Sequence, residues 1–402
     1  MVCADIDAEK VARLSAGDVP ILEDRLELLV REGIGEERLH FVVGASNAVA
    51  DCEVAFLCVP TPQNEDGTAD LSYIEAATAE IASLLPPESI VVNKSTVPVG
   101  STRVVEQALG RSDVTVVSNP EFLREGSAVQ DFLHPDRIVI GCEDQSAAIK
   151  VLSLYLGVTA PTVVTDPASA ETIKYAANAF LATKLSFMNA IAAVCEGVGA
   201  DVTDVILGLG YDTRIGSEFL KPGPGWGGSC FPKDTRALVR IAEQGGYDFQ
   251  LLDGVIAVNE EQFSRIADKV RDAVGGDLTG RTVGVWGLTF KAGTDDLRES
   301  PALSVIQRLT SAGASVCAYD PTVSAVGDLP PGHDTVDLVE TAVLACDGAD
   351  VLVVLTEWDE FRWQDPVEVA ALMAAPTVVD ARNLLDRARW ERHGFTHRGV
   401  GH

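Results

Sequence analysis

The chain has 402 residues, room for two or three domains, and is 47% hydrophobic and 23% charged, the balance of a soluble globular protein. Acids outnumber bases 60 to 31, for a formal charge of −29; such a surface repels phosphate backbones and argues against nucleic acids and anionic membranes as partners. Arg supplies 22 of the bases and Lys only nine, so the place of each lysine is informative.

The first residues, MVCADIDAEK, carry acids early and lack the basic start and apolar run of a signal peptide. VCADID predicts a strand that ends in acid. β-Branched runs over 54–62, 89–96, 114–122 and 137–143 predict buried strands, and helical spacing over 70–85 and 100–110 predicts helices between them. This alternation implies a parallel sheet with helices on both faces. From 168 to 272 the pattern is of long helices broken by a glycine-rich stretch at 221–229. The longest apolar stretch, Tyr175 to Gly199, contains Lys184 and Glu196 and is expected to be a buried helix rather than a membrane span. Strand–helix alternation then resumes at 282–288, after Pro301, and at 314–321, 351–358 and 377–383. The plan is α/β, all-helical, α/β.

Eight cysteines are scattered singly, without C-x-x-C pairs or zinc-ligand spacing. They suit a reducing cytoplasm with neither disulfides nor a metal, and Cys52, Cys58 and Cys195 are expected to be core packing. The six histidines have no partner at metal or triad spacing.

The two α/β parts are alike. In the second, strand TVGVWGL leads through a helix to ASVCAYDP, which ends at Asp320; VCADID ends the same way. In a dinucleotide-binding unit, an acid at the end of the second strand bonds the adenosine ribose, about 20 residues beyond a G-x-G-x-x-G turn. Asp5 or Asp7 is placed to be that acid. The strand, glycine turn and helix expected before it, roughly 25–30 residues by the same geometry, are not in the sequence. Asp is common after any strand, so this feature is weak evidence for cofactor binding.

Three segments bring together residues suited to chemistry. In KPGPGWGGSCFPKDTRAL (221–238) a helix is expected to start at Pro232. A cysteine just before a helix, with Lys233 near it, sits in positive potential that favours thiolate. Asp234 follows within a turn and could hold a water or hydroxyl. The plainer alternative makes Cys230 small filler and Asp234 a helix-start acid. In ETIKYAANAFLATK, Lys174 and Asn178 are i,i+4 neighbours on an otherwise apolar helix. Either they point inward and need a ligand or partner, or both snorkel to the surface. In SNPEFLREGS, Glu121 and Glu125 follow a strand end, where open α/β sheets keep their ligands; alternatively Asn119–Pro120 caps a helix and Glu121 complements its dipole. Thr61 and Thr96 also close strands of this sheet.

Taken together, VCADID, CVPTP, KSTVPVG, NPEFLREG, KYAANAFLATK, YDTRIG, FLKPGPGWGGSCFPKD, GLTFKAGTDDLRESP and DARNLLD resemble, in order and along essentially the whole chain, the UDP-glucose/GDP-mannose dehydrogenase family. The likeness is greatest to the branch acting on UDP-glucose, with GDP-mannose and UDP-N-acetylhexosamine as alternative substrates. The resemblance implies two Rossmann-like parallel-sheet domains joined by a helical dimerisation domain: an NAD-binding part (1–165), a central part with the catalytic cysteine (166–275), and a UDP-sugar-binding part (276–402). It implies NAD as cofactor, a homodimer or higher homo-oligomer, and oxidation of the sugar C6 alcohol to a carboxylate through a thiohemiacetal and a thioester on Cys230. Lys174 and Asn178 would steady the oxyanion, and Glu121 and Asp234 would handle protons and water. Lys10, Thr61, Thr96, Glu125, Lys233 and Arg298 would lie along NAD, with Asp5 on the ribose. Glu121, Phe122, Leu123, Arg124, Glu125, Phe219, Leu220, Lys221, Pro222, Gly223, Gly227 and Lys291 would line the nucleotide sugar, together with Lys174 and Asn178. Arg214 would reach a neighbouring subunit's site. The family begins with the strand and glycine-rich turn that this sequence lacks, so the expected N-terminal domain is short of its first βα unit. Two readings follow: a mis-assigned start, with Met1 standing where a strand valine is expected and a GTG codon read as the start, or an inactive fragment that retains the nucleotide-sugar site.

Overall fold

The structure, a computed structural model, describes residues 1–64 and 68–402. It divides into two compact units, Met1–Ala177 with Arg236–Tyr247, and Asn178–Thr235 with Asp248–His402.

In the first unit, β1 (Val2–Asp5), α1 (Ala8–Ser15), α2 (Leu26–Gly35) and β2 (His40–Val43) come first. β1 and β2 pair in parallel, Val2 opposite His40 and Asp5 opposite Val43. α1 starts where it does because the Asp7 carboxylate accepts from the Glu9 and Lys10 amides. Next come β3 (Val54–Leu57), α3 (Ser72–Ala82), β4 (Ile90–Asn93), α4 (Ser101–Leu109), β5 (Thr115–Ser118), α5 (Ala128–Leu133), β6 (Ile138–Gly141), α6 (Gln145–Ser153) and β7 (Thr162–Thr165), then α7 (Pro167–Val198). These five strands form one sheet in the order β3-β4-β5-β6-β7. β4 and β6 are buried along their whole length, as continuous apolar strands covered on both faces must be.

The sheet is not parallel throughout, as expected, because β5 meets β6 antiparallel, Ser118 opposite Gly141. The connection between them contains one short helix, α5, of six residues. The strands are also shorter than the apolar runs. β3, β4 and β5 stop at Leu57, Asn93 and Ser118, before Pro60, Pro98 and Pro120, whose rings cannot donate to a ladder. β2 and β7 left no clear pattern because their residues are largely exposed.

The second unit contains α7 from Asn178 onward, α8 (Val202–Gly210), the start of α9 (Phe231–Gln244) and α10 (Gln250–Ala273). Its α/β part comprises β8 (Thr282–Trp286), α11 (Pro301–Ser311), β9 (Ser315–Tyr319), β10 (Val336–Leu338), β11 (Val351–Val354), α12 (Asp359–Arg362), α13 (Pro366–Leu372), β12 (Thr377–Asp380), α14 (Arg387–Arg392) and β13 (Thr396–Arg398). The sheet order is β10-β9-β8-β11-β12-β13, with every pair parallel. Such a doubly wound sheet takes ligands at strand C-termini, where the winding reverses; here that is between β8 and β11. Phe263, Ile266 and Val270 of α10 and Val305, Ile306 and Leu309 of α11 belong to one core with Val283 and Val285. A second core gathers Trp286, Phe361 and Trp390, and the Trp286 indole N–H donates to the Ala342 carbonyl at 2.6 Å.

α7 departs from the expectation of a wholly buried helix. Met188, Ala192 and Cys195 are buried, whereas Phe180, Phe187, Val194 and Val198 are exposed by 65%, 56%, 56% and 72%. Spacings of seven, seven and four residues put those four on one face. All eight cysteines are free thiols; Cys195 is buried as expected, Cys52 is half-buried, and Cys58, just past β3, is exposed.

Candidate active site

The glycine-rich loop before α9 is held by amides. Gly223 donates its N–H to Asn189 Oδ1 at 2.8 Å, and its carbonyl accepts from Gln262 Nε2 at 2.7 Å. Asn259 bonds both backbone groups of Trp226, at 2.8 and 2.9 Å, while the Trp226 indole donates to Ser186 Oγ at 2.8 Å. The loop can lie this close only as glycine: a Cβ on Gly227 would stand 2.0 Å from the Glu299 carbonyl oxygen. Asn189, Asn259 and Gln262 were not singled out from sequence, although buried amides on apolar helix faces are a recognisable signal.

This scaffold delivers half-buried Cys230 to the start of α9, where its carbonyl accepts from the Asp234 N–H at 2.9 Å. The helix begins at Phe231, one residue earlier than expected. A thiol there faces the positive end of a 14-residue helix, which favours thiolate. Ser229 Oγ lies 3.6 Å from the sulfur. Asp234 is fully buried, which a carboxylate tolerates only when paired. Lys233 Nζ donates to Oδ1 at 2.7 Å and Asn178 Nδ2 to Oδ2 at 2.6 Å. Asp234 is therefore no solvent-facing helix-start acid.

In the first unit, Lys174 donates to Glu121 Oε1 at 2.8 Å, and the lysine side chain is only 4% exposed. Snorkelling is ruled out for Lys174, and Asn178 is likewise buried. Glu121 Oε2 accepts the Leu123 N–H at 2.6 Å. The Phe122 ring packs under Arg137, 3.8 Å from guanidinium to centroid, with Lys174 at 5.5 Å. The helix-cap reading of Asn119–Pro120 fails, since α5 starts only at Ala128. Arg124 is committed to Asp131 at 2.6 Å, and Glu125 is half-buried.

The strand-end residues are also in place. Asp7 caps α1, which leaves Asp5 as the acid closing β1. Asp5 accepts from Lys10 Nζ at 2.6 Å, and that hydrogen bond chiefly holds its carboxyl below the usual range. The Thr61 hydroxyl donates to the Thr96 carbonyl at 2.8 Å, joining the ends of β3 and β4. Asp5 closes a strand of the two-stranded sheet β1-β2, whereas Thr61 and Thr96 lie in the loops after β3 and β4 of the five-stranded sheet; acids and threonines past parallel strand ends are groups that suit a dinucleotide. Glu171, buried within the same unit, accepts from the Gly100 N–H and from the N–H and hydroxyl of Thr102 at 2.6, 3.0 and 2.7 Å. It thereby satisfies the start of α4 and ties α7 to the loop that bears Thr96.

Other residues are held by near neighbours. Arg298 pairs with Asp296 at 2.8 Å, and Arg214, 86% exposed, with Asp212 at 2.6 Å. Lys291 lies 5.5 Å from the Phe290 ring centroid. Phe219 has a left-handed backbone, φ 61°, its ring 6.3 Å from that of Phe231. Leu220, Pro222 and Gly223 are buried, and Lys221 is exposed. Arg382, not singled out from sequence, donates to the Leu355 and Phe290 carbonyls at 2.8 and 3.0 Å. Its guanidinium lies beside Gly223, 3.5 Å from where a Cβ would be.

The first unit carries a strand-end acid and threonines and the second a thiol at a helix start near a buried carboxylate, groups of the kind found in dinucleotide-linked dehydrogenases. The chain belongs to the UDP-glucose/GDP-mannose dehydrogenase family, matching its NAD binding domain over residues 1–159, its central domain over 168–261 and its UDP binding domain over 284–387. It is 45% identical over 412 aligned positions to UDP-glucose 6-dehydrogenase of Rhizobium meliloti, covering 100% of this chain and 94% of that one. To the UDP-glucose 6-dehydrogenase TuaD of Bacillus subtilis it is 43% identical, over 100% of this chain and 88% of the other. The structure of a UDP-glucose dehydrogenase from Pyrobaculum islandicum superposes with a TM-score of 0.90 at 37% identity, covering 100% of this chain and 91% of that one.

Proposed function

We propose that the chain oxidises the C6 alcohol of UDP-glucose to the carboxylate of UDP-glucuronate. NAD, held by the residues named below, would supply the hydride acceptor for two oxidations. The Cys230 thiolate adds to the intermediate aldehyde as a thiohemiacetal, whose oxidation leaves a thioester that water cleaves. Thiolate suits both steps, being strongly nucleophilic and a competent leaving group. Lys174 and Asn178 stabilise the oxyanion, and Glu121 and Asp234 move protons and hold the hydrolytic water. Asp5, Lys10, Thr61, Thr96, Glu125, Lys233 and Arg298 serve the cofactor. Phe122, Leu123, Arg124, Phe219, Leu220, Lys221, Pro222, Gly223, Gly227 and Lys291 serve the nucleotide sugar, with Arg214 reaching a second subunit. The chain divides into a cofactor part (1–165), a catalytic part (166–275) and a nucleotide-sugar part (276–402), and the cofactor and sugar residues are drawn from all three.

The observation that carries this reading is Cys230 at the start of α9, with Asp234 buried one turn on and bonded to Lys233 and Asn178. Incubated with NAD and UDP-glucose, the protein should release about two NADH per sugar. One NADH per sugar with free aldehyde, or turnover only of GDP-mannose or a UDP-N-acetylhexosamine, would overturn it.

A second copy of the chain is the proposed occupant of the exposed stripe Phe180, Phe187, Val194 and Val198, since a continuous apolar face of this kind marks an interface. Phe187→Glu should convert a dimer to a monomer in sedimentation, and an unchanged mass would exclude that face. Eight free thiols are consistent with a cytoplasmic protein.

A further inference from the structure

Lys94 follows β4 directly, and its backbone N–H extends the ladder to the Leu57 carbonyl at 3.0 Å. Its side chain turns into the unit. Nζ donates to Asn119 Oδ1 at 3.2 Å and to the Tyr155 hydroxyl at 3.2 Å, lying 5.8 Å from the Tyr155 ring centroid. Tyr155 also donates to Asn119 Oδ1 at 2.5 Å, and Asn119 Nδ2 donates to the Val139 carbonyl at 2.8 Å. Asn119 is thus fixed through both ends of its amide, two residues before Glu121.

We propose that Lys94 is a positioning residue for the Glu121–Lys174 pair: it anchors the loop that bears Glu121 and places a second positive charge near that carboxylate. The proposal rests on Glu121 and Lys174 acting in the reaction above. One carboxylate then feels two ammonium groups, Lys174 in direct contact and Lys94 through the electrostatic field, leaving net positive charge in a strongly acidic chain, where an anionic substrate or oxyanion needs it.

Burial lowers Lys94 to about 8 against the attraction of Glu121 and, more weakly, Cys58, while the like charge of Lys174 lowers it further. Burial pushes Tyr155 up to about 12, and loss of hydration around the sulfur raises the Cys58 thiol. The charge is therefore present below about pH 8 and lost above it.

The test is NMR titration of ε-13C-lysine-labelled protein, in which Lys94→Arg identifies the Lys94 signal by its disappearance. Glu121→Gln should lower the Lys94 midpoint and Lys174→Met should raise it, each by roughly half a unit or more. A lysine that only packs would move in neither variant, and unmoved or same-direction midpoints overturn the proposal. Turnover gives the second readout. Lys94→Gln should lose the alkaline limb of the kcat profile near pH 8, with the KM for NAD changed less than about threefold; a retained limb overturns the proposal. If opposite NMR shifts appear without UDP-glucose turnover, the substrate reading fails and the Lys94 linkage stands.

Discussion

Cys230→Ala should lower uronate formation by about 10³-fold or more, the scale on which a lost covalent nucleophile registers, while leaving the fold and NAD binding intact. The side chain is half-buried in a loop whose shape is set by Asn189, Asn259 and Gln262 rather than by the sulfur, so truncation disturbs little packing. The loss falls on the second oxidation, because without the thiol no thiohemiacetal forms. Cys230→Ser separates nucleophilicity from shape: a hydroxyl at the same helix start is far less ionised than a thiol and should lose nearly as much rate. Stopped-flow NADH traces and product analysis check both variants. Uronate formation within tenfold of wild type in Cys230→Ala would remove the covalent route. A raised urea sensitivity without rate loss would make Cys230 the small filler that the loop alone allowed.

The chemistry-bearing segments were legible because glycine, proline, cysteine and lysine punctuate them. Cys230, Asp234, Lys174, Asn178 and Glu121 were all named, yet neither hydrogen-bonded pair among them was. Sequence spacing set Lys174 beside Asn178 on one helix face. The structure gives Lys174 to Glu121, 53 residues away, and Asn178 to Asp234, 56 residues away. Pairings of that range depend on the way the sheets are wound, which a local pattern does not encode. Strand-end position alone left Asp5 and Asp7 open; the resemblance named Asp5, and α1 takes Asp7 as its cap. Strand ends were overcalled wherever an apolar run led into a proline-containing loop, because hydrophobicity persists past the last ladder hydrogen bond. Lys94 lay within a quoted segment and passed unnoticed, and Asn119 was read only as a helix cap. Their roles come from contacts to α6's flank at Tyr155, and no spacing rule links those positions. The antiparallel step at Ser118 and Gly141 was not legible because a continuous apolar run marks a buried strand but not its direction.

Breaking the Lys174–Glu121 pair from either side should cost unequally in stability and about equally in rate. Lys174 is 4% exposed and Glu121 24%. Glu121→Gln strands an ammonium that water cannot reach, at a cost of about 3 kcal/mol, the lower end for a broken buried pair because the amide oxygen still accepts a hydrogen bond. Lys174→Met leaves a carboxylate that is partly hydrated and still holds the Leu123 N–H at 2.6 Å, and the methionine fills most of the vacated volume; the cost should be about 1 kcal/mol. The double variant should lie closer to Lys174→Met than the sum of the single changes, because no unpaired ammonium remains. Both single variants should lower kcat by about 10²–10³-fold, since the proposed oxyanion-stabilising cation and its carboxylate would act as a unit in the transition state. Urea midpoints and steady-state kinetics on the four-member cycle decide it. Equal stability losses would mean that solvent reaches Lys174 as readily as Glu121. A kcat unchanged in Lys174→Met, with only stability lost, would place the oxyanion elsewhere and reduce the pair to a structural salt bridge.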